Sequence, residues 1–323
     1  MINSSAPASG RGRSGHRPTI APGVGTQIRL GWKRYKREYL LFAAMVAPNI
    51  LIIAVFAYWP VLYNFYLSFT SWDMMAPTPT FDGLGEYVAM FTDPDFGQVL
   101  LNTLVFSGVV VIGSLVAGLA IALLFNQKMH GRGIVRTVSF APHIVSGAAV
   151  ATLWLFIFDP NYGLSRVLLQ PLGITPPHWT TSSTYALWSL IIVYLWKGIG
   201  FTAIVYLAGL QGMPTDLYEA ARIDGAGTWA MFRQITLPLL SPVTFFLVLT
   251  SIISTFQAYD VTAIMTGGGP GSSSTTLSWY IYRQAFQASD AGRSAAAAVV
   301  MFVLLLLVTT FQTRFMERRV HYR

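Results

Sequence analysis

The residue whose type and position most invite a chemical role is Lys197, a cation near the middle of a long apolar run. A charged side chain at such a depth is costly, and it marks a functional site by default. Gly198, Gly200 and Phe201 stand beside it. A later apolar run carries Ser251, Ser254, Thr255 and Ala258 at helical spacing, with Gln257 and Asp260 near one end. Hydroxyl and aromatic side chains around a shared cavity could carry a sugar, since rings stack on its apolar face. The ammonium would also suit a phosphorylated or acidic solute. Each group has a plainer reading beside this one. Lys197 could sit in an ion pair that holds the bundle, and small and hydroxyl residues are common glue between helices in lipid.

Chemistry of other kinds has no visible seat. The sequence contains no GxxxxGK[ST], no strand-to-helix GxGxxG, no GxSxG and no HExxH. The five histidines, at 16, 130, 143, 178 and 321, lack metal-ligand spacing, and there is no cysteine. No pair of carboxylates shares one apolar run. An enzyme would need a convergent acid, base or metal set. An ATP-independent secondary transporter would need intramembrane acids for coupling. Only Asp260 comes near that requirement.

These residues need elements to position them, and composition says which. The chain has 323 residues, 54% of them hydrophobic and 11% charged, so lipid must cover much of its surface. Six runs are long and apolar enough to span, about 40–66, 98–126, 134–158, 185–210, 239–265 and 295–315. The expected fold class is therefore all-α and polytopic, with six transmembrane helices. Pro48, Pro60 and Pro142 fall inside spans and read as kinks. Of the 21 Lys and Arg, all but Arg166, Arg283, Arg293 and Lys197 fall on one side if the N-terminus is inside. That asymmetry follows the positive-inside rule and predicts both termini in the cytoplasm. The net charge of +8 thus reads as topology rather than nucleic-acid binding. Residues 1–38, basic and broken by Gly and Pro, read as a disordered cytoplasmic head, and residues 39–323 as the membrane domain. The first outer connection carries Asp73, Asp82, Glu86, Asp93 and Asp95 without a cation. It reads as a solvated acidic loop, or as part of a surface for an external partner. TGGGP at 266–270 reads as a flexible or tightly turned loop.

Residues 213–242, MPTDLYEAARIDGAGTWAMFRQITLPLLSP, lie on the cytoplasmic side. Pro214 suits a first helical position, with Asp216 favouring the positive helix end. A short helix would run to about Ile223, with Leu217, Ala220 and Ala221 as a small apolar face. Gly225 would end it in a left-handed turn, and Thr228 would cap a second helix.

This stretch resembles the EAA loop of binding-protein-dependent ABC permeases: Glu219-Ala220-Ala221, Asp224-Gly225-Ala226, Phe232, Ile235, Leu237-Pro238 and Pro242. LSFTSWD (67–73), FDGLGEYVAMFTDPDF (81–96), LLNTLVFS (100–107), LAGLQGMPTDLYEAARIDGAG (207–227) and TGGGP extend the likeness to the carbohydrate and glycerol-phosphate branch. The resemblance implies a type I importer permease in the bacterial cytoplasmic membrane, moving a sugar or related solute. A non-sugar solute remains the alternative. It implies a second, usually different, permease subunit, two ATPase domains that hold ATP and Mg, and an external solute-binding protein. No cofactor is implied in this chain. Glu219, Ala220, Ala221, Arg222, Asp224 and Gly225 fall on the segment that seats in the ATPase. Tyr194, Lys197, Gly198, Phe201, Ser251, Ser254, Thr255 and Ala258 resemble the substrate-lining positions of maltose-type permeases, with different identities.

Overall fold

The structure, a computed structural model, describes residues 24–127 and 132–316. The chain divides into two units, residues 1–61 and 62–323. The described residues of the first unit form α1 (Val24–Ile53), a π-helical turn at Ala54–Tyr58 and the start of α2 (Trp59–Leu67), which runs on past residue 61. In that turn the amide of Trp59 reaches back to the carbonyl of Ala54. Pro60 follows at once. Its ring would press on the carbonyl four residues back, and a widened turn relieves that clash. The same device recurs at Phe232–Thr236, where the Leu237 amide bonds to Phe232 and Pro238 follows. Both prolines are thus accommodated by π-turns.

The start of α1 corrects one expectation. Residues 24–38 of the basic head are helical and run into the first span. The segment has two glycines, Gly25 and Gly31, and no proline between 24 and 38, so a helix nucleated in the span propagates outward. Residues 1–23 lie outside the described residues.

The second unit holds the remaining elements. A two-stranded antiparallel ribbon, β1 (Thr70–Ser71) and β2 (Thr80–Phe81), leads to α3 (Gly85–Thr92) and the long α4 (Pro94–Phe125). Then come α5 (Arg132–Ile144), α6 (Gly147–Phe158), α7 (Leu164–Leu169) with a 3-10 turn at Gln170–Leu172, and α8 (Ala186–Gln211). The short α9 (Thr215–Ile223), α10 (Thr228–Met231) and α11 (Leu237–Leu239) precede α12 (Ser241–Phe256) and α13 (Asp260–Met265). Finally α14 (Leu277–Tyr282), a π-turn at Arg283–Gln287 and α15 (Ala291–Met316) complete the described chain.

Among the described residues, five segments are long and apolar enough to cross a membrane: Glu38–Leu67, Pro94–Phe125, Ala186–Gln211, Ser241–Met265 and Ala291–Arg314. The expected third span is a sixth only as a pair of half-helices, Gly133–Ile144 and Gly147–Phe158, which meet at 101°. The break falls after Pro142, at Val145 and Ser146. The Ser146 hydroxyl caps α6 by accepting from the Ala149 amide at 3.4 Å.

Lipid gives helices no hydrophobic drive to associate, so close backbone approach must hold them. α4 packs along α8, where a methyl at Gly118 would strike Thr202 and the Ala203 backbone. α5 crosses α8 at Gly200, where a methyl would strike the Ser139 carbonyl. One apolar cluster joins Phe106 and Val110 of α4, Val150 of α6, Leu190 and Val193 of α8, and Val261 of α13. Another, nearer α9, joins Ala122, Tyr206, Leu210, Leu240 and Leu247.

The acidic connection is ordered, with Asp73, Asp82 and Asp95 exposed to solvent as expected and Glu86 buried. Glu86 accepts from the Arg293 guanidinium at 3.3 Å, and Arg293 also meets Asp290 at 3.7 Å. Asp93 caps α4, and Asp95 accepts from the Ser272 hydroxyl at 3.2 Å. The amides of Ala76 and Met75 hold the Asp73 carboxyl below its ordinary range. The TGGGP loop is tightly turned. Gly268 has φ +80, and a methyl there would strike Thr275 and Trp279. Asn102 of α4 donates to the carbonyls of Ser272 at 2.8 Å and Thr275 at 3.1 Å, fixing the loop to the bundle.

Candidate functional site

A cavity of about 310 Å³ opens between α4, α5, α8 and α12. Along α8 its residues, Tyr194 to Thr202, fall between the two apolar clusters. Seven of the eight side chains singled out from sequence line it: Tyr194, Lys197, Gly198, Phe201, Ser251, Ser254 and Thr255. The eighth, Ala258, does not. α12 ends at Phe256, and the Ala258 amide turns back to the Thr255 carbonyl at 3.2 Å. Helical spacing therefore fails one turn too early, and Ala258 is buried in the apolar cluster instead.

The structure adds lining residues that the sequence did not single out: Val110 and Ser114 of α4, His143 of α5, Thr202 of α8 and Thr250 of α12. His143 stacks on Phe201, with ring centroids 4.6 Å apart at 12°. The position of His143 beside Pro142 was the available signal, but nothing in the sequence tells which face of α5 meets α8. No Asp or Glu lines the cavity.

The nearest acid by connectivity is Asp260. Its Oδ1 accepts from the Tyr194 hydroxyl at 2.9 Å and from the Val261 amide at 2.9 Å. Its other oxygen rests against Gly147, the first residue of α6, where a methyl could not fit. A helix N-terminus offers free amides and a positive dipole end, so it is a favourable seat for an anion in an apolar setting. Asp260 thus ties the half-helix α6 to α8 and α13.

At the other end of the bundle, α9 carries the segment singled out for coupling. The helix starts at Thr215, so Pro214 precedes it rather than occupying its first position. It ends as expected: Asp224 caps it and Gly225 has φ +78. The Gly225 amide bonds to Arg222 at 3.0 Å and the Ala226 amide to Ala221 at 2.9 Å, which together form a Schellman cap. α10 begins at Thr228 itself, after Gly227 and without a side-chain cap. Glu219 and Arg222 border a cavity of about 500 Å³ with Tyr218, Met213, Gln211 and Thr236. Leu217 and Ala220 are exposed while Ala221 is half-buried, and Ile223 is 86% exposed. The Tyr218 hydroxyl lies 3.0 Å from the Thr236 hydroxyl and 3.0 Å from the Met213 sulfur, and so anchors α9 to the π-turn below α12. Sequence reading passed over Tyr218, because only the fold brings Thr236 beside it.

Residues 110–322 match the family of binding-protein-dependent transport system inner membrane components. The sn-glycerol-3-phosphate transport system permease protein UgpA of Yersinia pestis is 35% identical over 279 residues, 86% of this chain and 94% of that protein. The trehalose/maltose transport system permease protein MalF of Thermococcus litoralis is 34% identical over 242 residues, 75% of this chain and 82% of that protein. Among solved structures, a permease chain of a bacterial ABC transporter that imports the acidic polysaccharide alginate superposes with a TM-score of 0.76 at 28% identity, covering 90% of this chain and 99% of that one. Sequence and fold agree over nearly the whole membrane domain, and the chain belongs to the binding-protein-dependent transport system inner membrane components, the permease family of ABC transporters.

Proposed function

We propose that this chain forms part of the solute pathway of an ABC importer for a carbohydrate or glycerol-phosphate-like solute, and that the midplane cavity is the pathway's station within the subunit. The observation that carries this reading is the cavity itself. Hydroxyls from α4, α8 and α12, the rings of Tyr194 and Phe201, and the Lys197 ammonium converge on one space. The names of its relatives, transporters of glycerol 3-phosphate, of trehalose and maltose, and of alginate, support the substrate class. The chain moves solute without chemistry of its own, and ATP and Mg reside on two ATPase domains. α9 and its Gly225 turn couple to those domains on the cytoplasmic side, where both termini lie. The exposed Leu217 and Ile223 suit a protein groove. A second permease subunit completes the pathway, and a solute-binding protein delivers from outside, as one is present in the alginate-transporter complex. A solute binding to one state more tightly than the other, with nucleotide acting at the far end, biases a two-state cycle.

The test is purification of the tagged chain from its native host, followed by uptake in proteoliposomes. The reading expects a Walker-motif ATPase in the complex and ATP-dependent solute uptake that requires a binding protein. Uptake that persists without ATP, driven by an ion gradient, would refute it.

A further inference from the structure

Lys197 is a cation without an anion. It lines the midplane cavity, yet among the described residues it makes neither an ion pair nor a side-chain hydrogen bond within the chain. Arg293, at the acidic end of the bundle, is the cation that Glu86 and Asp290 pair with. Asp260, the acid three residues' reach away through Tyr194, is already engaged by a hydroxyl, an amide and the start of α6. The remaining lining is hydroxyl, aromatic or small, and it includes a second basic ring, His143, stacked on Phe201. A cation at this depth is expensive unless something compensates it. The cavity leaves that role to its occupant.

We infer that the cavity is selective for anionic solutes, with Lys197 as the counter-ion of a carboxylate or phosphate carried by a polyhydroxylated molecule. This rests on the pathway reading above and deepens it. Ser114, Thr250, Ser251, Ser254 and Thr255 supply hydroxyl partners for the solute's own hydroxyls. A volume of about 310 Å³ takes one small sugar unit, so an oligomer would pass through it unit by unit. A neutral sugar would leave the ammonium uncompensated, which disfavours it by the same physics that favours the anion.

The chain has no cysteine, so the sign of the cavity can be read without knowing the solute. In the assembled importer, Ser254→Cys reports from inside the cavity and Leu172→Cys, which replaces a 71% exposed residue away from α9, is the exposed reference. Each is treated with a methanethiosulfonate reagent bearing either a sulfonate or a trimethylammonium group, in inside-out and right-side-out vesicles. The inference expects the anionic-to-cationic rate ratio at 254 to exceed that at 172 by about tenfold or more. It expects Lys197→Met to erase the excess and Lys197→Arg to keep it. If Lys197→Met does not assemble, the ratio in the native background still decides. Galacturonate or glycerol 3-phosphate should slow modification at 254 more than glucose does, and whichever of the two acts names the charged group.

Equal ratios at the two positions would overturn the inference, as they would if a partner subunit's carboxylate neutralised Lys197. So would a cationic preference, an inaccessible 254, or protection by glucose equal to that by both anions. These rates do not depend on transport. An anion-selective cavity in a complex that moves no solute would retire the pathway reading, whereas ATP-driven uptake through a cavity without sign preference would retire this inference alone.

Discussion

Substitution of Gly225 separates the turn that ends α9 from the helix itself. Gly225 has φ +78, and its amide and that of Ala226 close the cap on Arg222 and Ala221. A β-carbon built at Gly225 meets nothing within 4 Å. Gly225→Ala therefore adds no clash, and its whole cost is the left-handed backbone, about 1–2 kcal/mol. That lowers the population of the closed turn by roughly 5- to 30-fold relative to competing conformations. Gly225→Asn should cost less, because Asn tolerates this region. Gly225→Pro is a different perturbation. It deletes the 3.0 Å bond to Arg222, fixes φ near −65°, and disfavours the turn conformation that Asp224 adopts, φ −74 and ψ 2. The turn cannot form at all. Uptake and transport-stimulated ATP hydrolysis, normalised to assembled complex, should fall in the order Gly, Asn, Ala, Pro, with Pro inactive but inserted. Wild-type coupling in the Pro variant would refute the argument that this turn presents α9 to the ATPase.

Other expectations follow from the same geometry. An impermeant thiol reagent applied to intact cells should label Val88→Cys, which replaces a 60% exposed residue, and spare Ile223→Cys, 86% exposed; the opposite pattern would invert the topology. Gly147→Ala puts a methyl where the Asp260 carboxylate rests and should destabilise the complex by about 1–3 kcal/mol; melting curves should show partial recovery when Asp260→Ala is added, and no recovery would break the proposed contact. Tyr218→Phe removes the 3.0 Å hydroxyl contact to Thr236, worth about 1 kcal/mol, and should weaken ATPase stimulation several-fold while complex yield stays normal; unchanged stimulation would remove Tyr218 from the coupling path. Arg293→Ala strands the buried Glu86 and should lower thermal stability, with Glu86→Gln restoring part of it; an unchanged melting curve would mean the pair contributes nothing.

Much of the site was legible in the sequence because it is written on single helices. Tyr194, Lys197, Gly198 and Phe201 share one face of α8, and Ser251, Ser254 and Thr255 one face of α12. Helical spacing groups the α12 residues and adjacency groups Lys197 with Gly198 and Phe201, while Tyr194 comes from the family resemblance. Ala258 shows where that reasoning stops, since spacing carries no information about a helix that has already ended. The Gly225 turn was legible for the same local reason: a glycine after a short helix, with Asp224 before it, specifies its own cap.

What the sequence by itself determined, then, is what depends on near neighbours along the chain: the spans, their order, the Schellman turn of α9 and the two helix faces of the cavity. Hydropathy and charge act over a few turns and need no partner to be read. Only the tertiary structure decided which faces meet. It set His143 against Phe201, placed Ser114 opposite α8 and gave Asp260 to Tyr194 and Gly147 rather than to Lys197. It also buried Glu86 of the otherwise solvated acidic connection against Arg293, and broke the third span at 101°. These outcomes turn on close approach at particular glycines and on which buried charge finds a partner. Both are properties of positions far apart in sequence, and packing alone brings them together.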